Sequence, residues 1–192
     1  MPTPNRAALD FLLTRRSRPA KMLTAPVPGR AELETLLTAA ARTPDHGKLE
    51  PWRFVVLTRP ALHRLAAAIP ETGVRLGQGE EAIAKMTAQF GEAHLAVVVV
   101  AAPKASDKIP AIEQTLSAGA VCLALLNAAL AAGWGANWLT GWAVHDRHFA
   151  TNALGLAPDE FVAGVIHIGT STGVPPDRPR PELARVVTWI EA

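Results

Sequence analysis

Tyrosine is absent from the 192 residues, and Cys122 is the single cysteine. Without a phenol the chain cannot use the tyrosine–lysine acid pair found in many nicotinamide-dependent dehydrogenases, so any redox chemistry needs another source. A lone cysteine closes no intramolecular disulfide, and its apolar surroundings mark it as a small buried thiol in a reducing compartment. Charge of one sign is equally scarce. Nineteen Lys and Arg against seventeen Asp and Glu leave a net charge of +2, and the basic residues are spread out instead of forming the clustered run of a nucleic-acid footprint. No nucleic-acid partner is expected. Met1 to Arg6 lead into a mixed segment without the apolar stretch and small-residue cleavage site of an exported protein, which predicts a cytoplasmic location.

Several fingerprints are missing as well. Gly77-Gln-Gly79-Glu-Glu-Ala82 has dinucleotide-fold spacing but follows no predicted strand, and nothing resembles a phosphate-binding P-loop. Gly169-Thr-Ser171-Thr-Gly173 matches a nucleophile elbow, yet Pro175 and Pro176 forbid the helix that must follow and no histidine lies downstream. His145 and His148 would need to converge with a third ligand to hold a metal, so a solvated helix start is the simpler reading and no metal site is expected.

What is present begins with hydrophobicity: at 49% apolar residues the chain can bury one sizeable core, and a single domain over residues 1–192 is expected. Helical spacing runs over Asn5 to Arg16 and Gly29 to Arg42, then over Ala61 to Ile69 and Gly79 to Phe90. Trp52 to Leu57, Gly135 to Leu139 and Phe161 to Ile168 read as strands, and Asp146 to Leu154 as a short helix capped by its acidic residue. The run Leu95 to Ala102 reads as a strand buried on both faces, at the centre of the sheet. Ile112 to Gly133 is the longest helical candidate, apolar on every side and expected to be buried nearly all round. Ser117, Gly119 and Asn127 interrupt it, and it barely reaches the ~20 residues of a membrane span, so no membrane partner is expected. The order lacks regular β–α alternation and predicts an α+β sheet wrapped by helices. One protomer would struggle to cover such a helix, which calls for an obligate homodimer with the helix near its interface.

Three segments carry potential chemistry. Arg15-Arg16-Ser17-Arg18 gathers cations and a hydroxyl where a helix ends, suiting either a phosphate-bearing ligand or simple complementarity to the helix dipole. Arg42-Thr-Pro44-Asp45-His46-Gly47-Lys48-Leu49-Glu50-Pro51-Trp52-Arg53-Phe54 is a polar loop entering a strand, either functional or merely tied down by Asp45 and its prolines. Gly133 to Trp142 holds three tryptophans and three glycines, fit for a flat ligand or for core packing.

Together the three resemble the nitroreductase superfamily, in particular its compact single-domain subgroup, whose pattern runs Arg-Arg-Ser, Arg-x-Pro-Asp-His, Pro-Trp-Arg-Phe and Gly-x-Gly-x-x-Trp in this order. The resemblance implies an α+β fold with a mixed, mostly antiparallel central sheet flanked by helices, assembled as an intertwined homodimer with FMN at the subunit interface. It implies that Arg15, Arg16 and Ser17 grip FMN, that Arg42 and His46 reach the same flavin from the other subunit, and that Trp138, Leu139 and Thr140 lie along it. Ala128 to Gly133 would approach the nicotinamide, and Arg178 and Arg180 resemble tail residues that help hold the phosphate. The implied activity passes electrons from NADH or NADPH to a small-molecule acceptor, nitroaromatic or quinone, with no catalytic side chain beyond the flavin. A dehydrogenase or dehalogenase of the same superfamily and a non-catalytic flavin-binding dimer are the alternatives. Glu50 stands where glutamine is common, and Lys48 where a small or polar residue is, which bears on substrate choice.

Overall fold

The computed structural model describes residues 3–191. Helix α1 (Arg6–Thr14) starts where Asn5 caps it, the Asn5 side chain accepting from the Ala8 amide at 3.0 Å. After the two-residue strand β1 (Leu23–Thr24), helix α2 (Arg30–Ala40) opens with the Glu32 carboxylate accepting from the Gly29 amide. Strand β2 (Trp52–Thr58), helices α3 (Arg59–Arg75) and α4 (Glu80–Gly91), and strand β3 (Leu95–Ala101) follow. The long helix α5 (Ala111–Ala131), strand β4 (Gly135–Leu139), helices α6 (Trp142–His145) and α7 (Arg147–Leu154), strand β5 (Phe161–Ser171) and the single turn α8 (Leu183–Val186) complete the order. As the acidic start of α7 suggested, Asp146 caps it, accepting from the Phe149 amide at 2.9 Å.

The predicted α+β architecture is present, and every strand pairing is antiparallel. The expectation that β3 forms the centre is corrected. Strand β3 is interior and buried along its whole length, but β5 is the hub. Its eleven residues are long enough to pair with β3, β4 and β1. Helix α3 also outruns its prediction, continuing through Pro70 to Arg75. Proline's φ fits a helix and sacrifices one backbone bond, while Ile69, Thr72 and Gly73 remain buried around it.

Side-chain alternation divides the interior into two layers. Ala96, Val98 and Val100 of β3 meet Leu62, Leu65 and Ile69 of α3 and Phe90 of α4, whereas Val97 and Val99 meet Leu33 and Leu36 of α2 and Val121 and Leu125 of α5. Helix α5 is not buried all round as its composition suggested. It is long and apolar enough to cross a bilayer by the usual criteria, yet it lies on the sheet, burying one face through Ala118, Val121, Cys122, Leu125 and Ala129. Its opposite stripe leaves Ile112, Leu116 and Leu123 exposed.

Candidate functional site

The strongest concentration of unmatched polar chemistry lies where α1, the end of α5 and the tail meet. Past Thr14 the chain extends, and the Arg18 amide donates to the Ala136 carbonyl at 2.8 Å, laying Arg15 to Arg18 along the free side of β4. Helix α5 is ended by Gly133 at φ 87, with the Trp134 amide reaching back to the Ala129 carbonyl at 3.0 Å. That left-handed cap turns Trp134 and β4 into the same place. The result is a cleft of about 500 Å³ lined by Phe11, Arg15, Arg16, Arg18, Trp134 and Asp177, among others.

Cations dominate the cleft. Arg15 donates to Ser17 Oγ at 2.8 Å, Arg16 donates twice to the Pro176 carbonyl, and Arg180 approaches the Arg15 carbonyl at 3.5 Å. Burial, and then Arg180 and Arg16 close by, hold the Arg15 guanidinium below its ordinary pKa. One carboxylate, Asp177, stands 3.9 Å from Arg16 and 3.5 Å from Arg180. Arg15 Nε and Arg18 Nη1 are buried without any partner. Buried donors that lack acceptors are costly, and guanidinium forks match phosphate oxygens; this donor set fits a ligand bearing a phosphate.

The predicted residues separate into groups. Arg15, Arg16 and Ser17 come together, joined by Arg180, which had been a suspect, and by Arg18, whose place beside the Arg-Arg-Ser run was the signal for it. Trp138 and Leu139 point to opposite faces of β4, as strand neighbours must. The Trp138 indole lies towards α5, over Gly164 and beside Cys122, whereas Leu139 lines a separate pocket of about 260 Å³ with Lys21, Lys85 and Gln89. Thr140 follows the strand in an exposed position. Gly135, expected to ease a ligand's approach, is needed for packing instead, since an added Cβ would stand 2.6 Å from Leu23 Cδ2 and 3.1 Å from the Gly169 carbonyl oxygen.

Arg42 and His46 are elsewhere. His46 Nδ1 meets Glu113 Oε2 at 2.7 Å, and Ser117 Oγ donates to the Pro44 carbonyl at 3.4 Å, so their loop rides on the first turns of α5. From Glu113 to Leu130, which lines the cleft, the helix rises roughly 25 Å. The loop is stiff: Gly47, Lys48 and Glu50 have φ of 76, 55 and 48°, and Asp45 accepts from the Glu50 amide at 2.9 Å. Two non-glycine residues, Lys48 and Glu50, stand in left-handed conformations on either side of Leu49, a strain of the kind that gathers at functional sites.

The other motifs end as structure. Ser171 Oγ donates to the Gly173 carbonyl, Asp146 pairs with Arg75 while His148 meets Asn152, and among the described residues no three His, Cys, Asp or Glu side chains group for a metal.

Comparison with known proteins bears on this geometry. The model of the nitroreductase family matches residues 12–170. "Putative NAD(P)H nitroreductase YdjA" of Escherichia coli (strain K12) is 32% identical over 163 residues, covering 85% of this chain and 87% of its own. A protein of Haemophilus influenzae with the name "Putative NAD(P)H nitroreductase" is 36% identical over 164 residues, covering 85% and 88%. Among solved structures, that of a "putative nitroreductase in complex with fmn" from Desulfovibrio desulfuricans superposes with a TM-score of 0.74 at 22% identity, over 98% of this chain and 99% of its own.

Proposed function

The chain belongs to the nitroreductase family, and from that premise we propose that it is an FMN-dependent NAD(P)H oxidoreductase, active as a homodimer and reducing electron-poor acceptors such as nitroaromatics or quinones. The observation that carries the reading is the arginine cleft with its two buried, unpartnered guanidinium nitrogens. FMN, when bound, supplies hydride transfer from NADH or NADPH and onward delivery to the acceptor at its N5. The protein's part is to bind, orient and tune. Arg15, Arg16 and Arg180 meet the phosphate with permanently charged forks, Ser17 holds Arg15 in place, and Arg18 adds positive charge beside β4. Trp138 lies alongside by its ring, and Leu139 and Thr140 contribute through backbone.

Two-fold assembly explains the separation of Arg42 and His46 from the cleft. If the exposed face of α5 packs antiparallel against its copy, the first turns of one helix oppose the last turns of the other, and the partner's loop arrives at the cleft. Leu9, Leu12 and Leu13 of α1 and Ile112, Leu116 and Leu123 of α5 are the apolar residues such packing would cover. The free edge of β2 and the exposed tail residues Trp189 and Ile190 suit an intertwined arrangement.

The test is the visible spectrum of the purified protein before and after anaerobic addition of NADPH, then NADH. A flavin spectrum bleached by either nucleotide is expected. A protein that stays colourless and takes up no added FMN overturns the proposal, and one that binds FMN but resists both nucleotides leaves a flavin-binding dimer without this activity.

A further inference from the structure

Gly164 stands in the middle of β5, a strand paired on both edges, where glycine normally weakens a sheet. Its φ lies outside the left-handed region, so the backbone does not demand glycine there. Space does. A Cβ at this position would collide with Trp138 Nε1, and would stand 2.7 Å from Trp138 Cδ1 and 2.9 Å from Cys122 Sγ. The register explains why these groups meet. Trp138 pairs with Ile166, so its indole leans diagonally along β5 to reach residue 164. Immediately before Gly164 the ladder slips: Val99 pairs with Gly164 but Val100 with Val162, leaving Ala163 as an extra residue. Bulges of this kind re-aim neighbouring side chains.

We infer that Gly164, with the bulge at Ala163 and the small side chain of Cys122, forms a seat that fixes the pose of the Trp138 indole and thereby positions the flavin. Three elements contribute one residue each: β5 the gap, α5 the thiol, β4 the ring. The thiol acts by its size, since burial pushes its pKa up to about 12 and leaves it protonated at neutral pH. Trp138 is 36% exposed, so with one side of its ring held against the seat it keeps a free side for the flavin that the proposed function places along β4. The inference rests on that reading. Gly164 is a positioning residue that acts through Trp138.

A mutant cycle separates the seat from a general effect on the sheet. Gly164→Ala is expected to weaken FMN binding by on the order of tenfold, to change the visible circular dichroism of the bound flavin, and to lower the melting temperature. In the Trp138→Ala background the same substitution is expected to leave FMN affinity and the flavin signal unchanged and to lower the melting temperature less, because the added methyl enters space that the indole has vacated and has Cys122 Sγ alone left to displace. The cycle survives a Gly164→Ala protein too unstable to purify: a double variant that can be purified and binds FMN as Trp138→Ala alone does then supports the seat. Equal losses in both backgrounds would overturn it, as would wild-type FMN affinity and an unaltered flavin signal in Gly164→Ala. A wild-type protein that takes up no FMN sinks the proposed function and the cofactor part of this inference together, whereas normal FMN binding with an additive cycle sinks the inference alone.

Discussion

The two faces of the sheet differ in how completely one chain covers them. Helices α3, α4, α6 and α7 close one face, burying Leu62, Leu65, Ile69, Met86, Phe90 and Phe149 among themselves and the strands. Among the described residues the other face has α2 and α5, and α5 leaves an apolar stripe turned outward, with Leu116 65% exposed. The arginine cleft opens at this less covered side. An apolar helix left open to water is costly, so the difference favours the proposed assembly, in which another copy completes the second face and the site with it.

The sharpest way to break that comparison is at the cleft. Arg15→Ala removes a partly buried guanidinium that holds Ser17, and charge-assisted hydrogen bonds of this kind each contribute roughly 1.5–3 kcal/mol. FMN affinity is expected to fall by on the order of a hundredfold, read by flavin fluorescence during reconstitution, while urea unfolding of the apoprotein changes little. Purified Arg15→Ala protein that keeps a full complement of flavin would contradict the assignment.

The closed face has its own weak point. His167 on β5 is 1% exposed, lies against Phe90, and has no partner at either ring nitrogen. Burial pushes its pKa down to about 4 from an ordinary 6.5. Between those values the unfolded chain binds a proton that the native protein refuses. Its contribution is therefore fully present above about pH 6.5 and is lost as pH falls towards 4, by roughly 3 kcal/mol across the window. His167→Leu is expected to flatten this part of the stability profile, measured from urea midpoints between pH 7 and pH 4.5. Parallel profiles for the two proteins would mean that other groups cause the acid sensitivity.

How much of this was legible in the sequence follows from what each signal reports. Helical and strand periodicities located the main elements within a few residues, except the far end of α3, because burial on one face writes itself into spacing. For α5 the same signal misled: hydrophobicity at every position says that all sides are covered, and it cannot say whether the cover belongs to the same chain. β3 was misplaced as the centre for a related reason, since a uniformly apolar strand is interior but need not be the hub. At the site, Arg15, Arg16 and Ser17 were readable as a local run, and Arg180 only as a suspect because 165 residues separate it from the Arg15 carbonyl it approaches. The role of Gly164 was hidden altogether. Its reason lies in a diagonal contact across two strands and in a bulge, and neither leaves a pattern along the chain.

Two smaller effects test whether the open face and the cleft are one system. Leu116→Glu puts a charge in the middle of the exposed α5 stripe. Burying it at an interface costs a few kcal/mol, so the dimer dissociation constant is expected to rise at least about thirtyfold, followed by sedimentation. FMN affinity should fall in parallel, although Leu116 is roughly 20 Å along α5 from the cleft. A monomer that still binds FMN with wild-type affinity would uncouple the two regions.

The smallest effect expected is the most specific. His46 is exposed and pairs with Glu113 within its own chain, so His46→Ala should lower FMN affinity only several-fold, on the scale of one exposed polar contact. Its value lies in mixed dimers. Combining a His46→Ala chain with an Arg15→Ala chain puts both defects on one shared site if the loop crosses the interface, leaving the other site intact. Half of the wild-type flavin content, bound with undiminished affinity, is then expected. If instead each chain supplied its own loop to its own cleft, every mixed dimer would carry one Arg15-defective site and one His46-weakened site, and no site would bind with wild-type affinity.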